Sequence, residues 1–150
     1  MRQAMITGRG MLAAGLILAA GVALAHTGVK NMTVMKRMEA MQSIGESTKV
    51  LGQMAKGERT FNAEKAREAA LAIARHASQA PALFEEKAED PKDEAKPVIW
   101  ERFDDFVAKS EALETVASRL AGSLETKDDL RAGLGEIGAA CKACHEVYRE

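Results

Sequence analysis

Four stretches of this chain repeat apolar or small residues every three to four positions, and no segment of strand length alternates with a period of two. Such a pattern folds by laying helical stripes against one another, since each stripe buries one side of a helix and leaves the other side in water. The first stripe runs within Val29–Ala55 through Val34, Met38, Met41, Gly45, Thr48, Gly52 and Ala55, and is widened by Met35, Ile44 and Leu51. Lys56-Gly57-Glu58 supplies its stop. Asn62 caps a second, Ala-rich helix that is expected to run to about Gln79, with Pro81 closing it. The charged stretch from Glu85 to Lys96, which contains Pro91, reads as a solvated loop. A third helix starts with Pro97 in its first turn and shows Ile99, Phe103, Phe106, Ser110, Leu113, Ala117 and Leu120 on one face. Gly122 and Ser123 end it. Thr126 with Asp129 forms a capping box for the last helix, which carries Leu130, Leu134, Ile137, Cys141, His145 and Tyr148 on one face. The expected fold is all-α, an antiparallel up-down four-helix bundle.

Residues 1–25 stand apart from that fold. Arg2 and Arg9 make a basic start without an acid, Met11–Ala25 is apolar and broken only by Gly, and Ala23-Leu24-Ala25 has the small-x-small pattern of a signal peptidase site. The run falls short of the roughly 20 residues of a bilayer crossing. The sequence therefore predicts a cleaved secretory signal over 1–25, a single domain over 26–150, export to a bacterial periplasm, and no stable membrane insertion. With 21 Lys+Arg against 22 Asp+Glu, the chain has no basic excess for phosphate contacts, so nucleic acid is not an expected partner.

The chemistry is concentrated in Cys141-Lys142-Ala143-Cys144-His145. In an exported protein, C-x-x-C-H is the attachment sequence of a c-type haem: each thiol adds to a vinyl group, and the imidazole that follows binds the iron. On a helix Cys141 and His145 lie one turn apart on the same face, with Cys144 in the same patch. A redox dithiol belongs beside a βαβ pattern that this chain lacks, and a zinc site needs a fourth ligand that neither His26 nor His76 obviously supplies. A structural disulfide across so short a loop would stabilise little. The cofactor expected is one haem c, covalent through Cys141 and Cys144. Gly133, Gly135, Gly138, Ala139 and Ala140 precede the motif and are expected to form a low-relief surface on which the ring can lie. No catalytic constellation emerges: there is no Ser/His/Asp set, phosphate loop or paired-carboxylate motif. His76 reads as a surface or rim residue.

With its haem motif at the C-terminus in CKACHEVYR, a KPVIW start to the third helix, LGQMAKGE at the end of the first, and Arg37 upstream, the chain resembles the cytochrome c prime family. The resemblance spans Lys30 to Glu150 and implies His145 as proximal iron ligand. It implies Arg149 as the basic residue one turn beyond that histidine and Arg37 as a first-helix arginine near the haem propionates. Trp100 matches an aromatic of the family, although core packing explains it as well. Counting back from Lys56-Gly57, the family's distal position falls on Met41, where high-spin members carry an apolar residue and the low-spin cytochrome c-556 type carries Met. The resemblance thus implies His145/Met41 ligation, with Met38 the next candidate. It implies a non-enzymatic carrier of single electrons working with periplasmic redox partners, and homodimers are common in the family. A high-spin, five-coordinate form that binds nitric oxide or carbon monoxide is the alternative.

Overall fold

The computed structural model describes residues 28–150. The signal-like segment 1–25 and His26 lie outside the described residues. Four long helices and one short turn make up the fold: α1 Met32–Lys56, α2 Ala63–Phe84, α3 Val98–Glu101, α4 Phe103–Ser123 and α5 Lys127–Tyr148. Around the bundle, α2 packs most extensively, against both α1 and α4, while α5 touches α4 and, more sparsely, α1. No helix among the described residues is long and apolar enough to cross a membrane.

Local signals set most of the helix ends. The Asn31 side chain accepts from the Thr33 and Val34 N–H groups, and Gly57 ends α1 at a left-handed φ of 84° that a side chain would resist. Thr126 and Asp129 exchange both bonds of a capping box at the start of α5.

Two boundaries differ from expectation. α2 does not stop at Pro81 but runs through it to Phe84. A proline has no N–H to give the carbonyl four residues earlier, here that of Ala77. The Ser110 hydroxyl of α4 donates to that carbonyl instead, at 2.7 Å. The third expected helix is split at Arg102, whose φ of −130° and ψ of 44° are not helical, so α3 is a single turn. The Arg102 carbonyl is still used, accepting from the Phe106 N–H at 3.1 Å and from the Tyr148 hydroxyl at 3.4 Å.

The face that α1 buries is also rotated from the expected stripe. It consists of Val34, Arg37, Ala40, Ile44, Leu51, Met54 and Ala55, whereas a Cβ placed on Gly45 or Gly52 would meet only open space. Arg37 belongs to the interior because its charge is matched there.

The core comes in two parts. The larger cluster, with Ile44, Leu51, Met54, Ile73, Leu120, Leu124, Leu130 and Ile137, fills the body of the bundle. The smaller one contains Phe84, Ile99, Phe106 and Tyr148, with ring centroids 4.9 Å apart for Phe84–Phe106 and 5.4 Å for Phe106–Tyr148. Trp100 packs against it and donates its indole N–H to the Phe84 carbonyl at 2.8 Å.

Candidate functional site: a haem slot

Between the two clusters lies a cavity of about 370 Å³, within the range of small-molecule and cofactor pockets. Ile44 and Leu113 on one side, and Phe84, Ile99 and Phe106 on the other, give it apolar walls. From α5 it receives Ala140, Cys141, Cys144, His145, Tyr148 and Arg149, and from α1 Arg37, Met38, Met41 and Gln42. Every described site residue expected from the sequence therefore lines one cavity. His76 does not line it.

Cys141 and Cys144 are half-buried and free of a disulfide. Burial is the first cause that pushes both thiols above their ordinary value; at Cys144, nearby Lys109 works weakly in the other direction. Both therefore stay protonated at neutral pH, a state unlike the low-pKa thiolate of a redox dithiol. His145 is solvent-accessible at its outer side. Burial first and the Arg149 charge second move its imidazole below the ordinary value, with Glu94 opposing, which favours the neutral form that a metal ligand needs. Two neutral thiols and an imidazole on successive turns, against an apolar slot that divides the core, fit a flat group anchored through sulfur and bound at a metal.

The glycines before the motif do not form the expected surface for a ring. A Cβ on Gly133 would stand 2.4 Å from Leu120 Cδ1, so this glycine lets α5 approach α4, while Gly135 and Gly138 face open space. Only Ala140 of that run reaches the cavity.

Arg37 is 2% exposed and lies under two aromatic faces, 4.6 Å from the Phe84 ring centroid and 5.3 Å from that of Trp100. Its Nε donates to the Leu83 carbonyl at 2.9 Å, and Nη1 donates to Ala88 O at 3.3 Å and to Asp93 Oδ2 at 3.2 Å. Nη2 donates to Glu86 O. The segment after α2 is thus wrapped around a buried cation. The expectation of a merely solvated loop over Glu85–Lys96 fails for Ala88, which is buried, and for Asp93, which is 13% exposed.

The same loop is tied to the end of α5. The Lys96 N–H donates to Tyr148 O at 2.9 Å and the Glu150 N–H to Glu94 O at 2.9 Å, closing an isolated antiparallel bridge between Ala95 and Arg149. Arg149 Nε donates to Glu94 Oε2 at 2.7 Å, and its backbone N–H donates to His145 O at 3.1 Å. The Tyr148 hydroxyl, which sequence reasoning did not single out, donates to Asp105 Oδ2 at 2.5 Å. Burial and that carboxylate push the phenol up to about 12. Nothing in the local sequence announces a partner 43 positions away.

A family model described as Cytochrome C' matches residues 32–149. The chain belongs to the cytochrome c′ family. It is 35% identical over 141 residues to cytochrome c′ of Rhodopseudomonas palustris, covering 91% of this chain and 92% of that relative. It is also 35% identical over 141 residues to cytochrome c-556 of Agrobacterium fabrum, covering 93% and 88%. The NMR-validated structure of oxidised R. palustris cytochrome c556 superposes with a TM-score of 0.74 at 27% identity, covering 81% of this chain and 98% of that one. A nitric oxide complex of a cytochrome c prime variant from Alcaligenes xylosoxidans gives 0.70 at 26% identity, covering 79% and 94%. This family carries a covalent c-type haem, and Cys141 and Cys144 are the two cysteines that this chain has for it.

Proposed function

We propose that this chain carries single electrons through a haem held by Cys141 and Cys144 and ligated by His145 and Met41. The observation that carries the reading is that Met41, on α1, and His145, on α5, line one slot from different helices. The haem supplies an iron that changes charge by one electron, and a His/Met pair favours a raised potential. What the protein adds is a dry wall and fixed donors. Phe84, Ile99 and Phe106 exclude water from one side, the Arg149 charge helps keep the His145 imidazole neutral, and the α1 backbone around Met41 is regular helix. A thioether donor carried on a regular helix would need little rearrangement as the charge of the site changes.

Nitric oxide or carbon monoxide binding is the second reading. It draws on the gas complex known for the A. xylosoxidans relative, and it requires Met41 to be off the iron. One experiment separates the two: visible spectra of the oxidised and reduced protein and of its Met41→Ala variant, each with and without carbon monoxide. Sharp split bands in the wild type, unmoved by the gas, with a broad gas-sensitive band in Met41→Ala, support electron transfer through His145/Met41. A wild-type spectrum that is broad and shifts with the gas overturns it. Export is also proposed, on the signal-like residues 1–25; N-terminal sequencing of the protein from a periplasmic fraction should begin near His26.

A further inference from the structure

Four cationic side chains line the cavity: Arg37, Lys92, Lys109 and Arg149. Three of them already have a carboxylate. Arg37 pairs with Asp93 at 3.2 Å, Lys109 with Asp105 at 3.6 Å, and Arg149 with Glu94. Arg37 is also nearly out of donors. Its guanidinium has five N–H groups, and the four bonds to Leu83, Glu86, Ala88 and Asp93 leave at most one. Lys92 makes no ion pair among the described residues. Residues 1–27 contain neither Asp nor Glu, so none of them can neutralise it either.

The backbone under Lys92 is nevertheless fixed. Asp90 accepts from the backbone N–H groups of Lys30 at 2.8 Å, Asn31 at 3.0 Å and Lys92 itself at 2.9 Å. On the other side, Asp93 binds Arg37 and Glu94 binds Arg149. An exposed, uncommitted ammonium therefore stands on an anchored rim, at the mouth of a slot whose other cations are spent. A haem in this slot would carry two propionate carboxylates, which the apolar walls could not pair and which Lys92 at the mouth could meet.

We propose that Lys92 is the cation that pairs with a haem propionate in this chain, while Arg37, the residue that the family resemblance implies for that role, is committed to holding the Leu83–Asp93 segment. The proposal rests on the haem occupying this slot and is independent of whether Met41 ligates. A cation beside a propionate offsets negative charge close to the iron. Removing it favours the oxidised state, so the potential falls.

The test compares reduction potentials of the holoprotein, measured by optical redox titration, for the wild type, Lys92→Met, Lys92→Arg and Lys87→Met. Lys87 is a control from the same loop that does not line the cavity. Lys92→Met should lower the reduction equilibrium constant by about three- to tenfold, a shift of up to about 59 mV for one electron. Lys92→Arg should restore it to within about twofold, and Lys87→Met should leave it unmoved. No shift in Lys92→Met, an equal shift in Lys87→Met, or failure of Lys92→Arg to restore the value would overturn the assignment. The same titrations record the band shape, which reports Met41 ligation separately. A failure of that reading therefore shows in the wild-type spectrum and not in the differences among lysine variants.

Discussion

Ser110 lines the haem slot and supports a proline-interrupted turn of the neighbouring helix, and the strength of that support can be calculated. Its hydroxyl, 8% exposed as a residue, donates at 2.7 Å to the Ala77 carbonyl, which Pro81 leaves without its helical N–H. Ser110→Ala strands that carbonyl in a buried interface, at a cost of about 1–3 kcal/mol. The better helix propensity of alanine returns at most about 0.7 kcal/mol. A net loss of about 1–2 kcal/mol is expected, read from urea unfolding followed by far-ultraviolet circular dichroism with unchanged m-value. The decisive step is a double-mutant cycle. In a Pro81→Ala background the residue at 81 regains an N–H that can reach Ala77 O, so Ser110→Ala should then cost nothing measurable. The expected coupling is about 1–2 kcal/mol, and a value below about 0.5 kcal/mol, the usual scatter for independent sites, would refute the reasoning.

Two further outcomes follow from side-chain positions. Gly133→Ala puts a methyl 2.4 Å from Leu120 Cδ1 in a filled core, so it should destabilise by about 1–3 kcal/mol, whereas Gly135→Ala, facing open space, should stabilise by up to about 1 kcal/mol. Opposite signs in a thermal melt check this pair, and a stabilising Gly133→Ala would show that Leu120 has room to move. The chain's single tyrosine makes the Tyr148–Asp105 bond directly visible in an ultraviolet difference titration. Because the folded phenol is raised to about 12, above its unfolded value near 10, its stabilising effect is complete below about pH 10 and is lost as pH rises toward 12. Asp105, lowered first by the same hydroxyl, loses its part as pH falls through its depressed value. Asp105→Asn should bring phenol ionisation to lower pH; an unmoved titration would mean that burial alone raises Tyr148.

What the sequence disclosed about this fold was whatever is decided within a few residues. Thr126 and Asp129 find each other inside one turn, Gly57 ends α1 by its own backbone freedom, and Cys141, Cys144 and His145 share a patch because of helical periodicity. Pro81 was misread as a stop because its compensation comes from Ser110, 33 positions from the carbonyl it serves. Arg37 was absent from the expected core stripe for a similar reason. A charged residue enters a core only when partners meet it there, and Asp93 lies 56 positions further along. Gly45 and Gly52 gave the first stripe its wrong rotation, since a glycine fits the periodic pattern of a buried face without having any apolar group to bury. The glycines before the haem motif misled in the same way. Only Gly133 has a packing reason, and that reason is Leu120 on another helix.

The division of the core connects these observations to function. Ile44 and Leu113 end one cluster and Phe84, Ile99 and Phe106 begin the other, so the slot between them is a part of the apolar interior that no side chain fills. α1 and α5 make the sparsest contact among the long neighbouring helices, and they are the two helices that supply Met41 and the CKACH motif. A group in the slot would complete the packing between them, and under the proposed ligation an axial bond from each helix would span the gap. Covalent attachment changes the energetics further. A dissociable ligand stabilises the folded state by an amount set by its concentration, whereas one bonded to Cys141 and Cys144 is present in the folded and unfolded chain alike. Its stabilising effect then comes from burial and axial ligation alone. Under that ligation the Met41 thioether would have two effects, raising the potential of the iron and joining α1 to α5, and replacing it should alter both the spectrum and the cooperativity of unfolding.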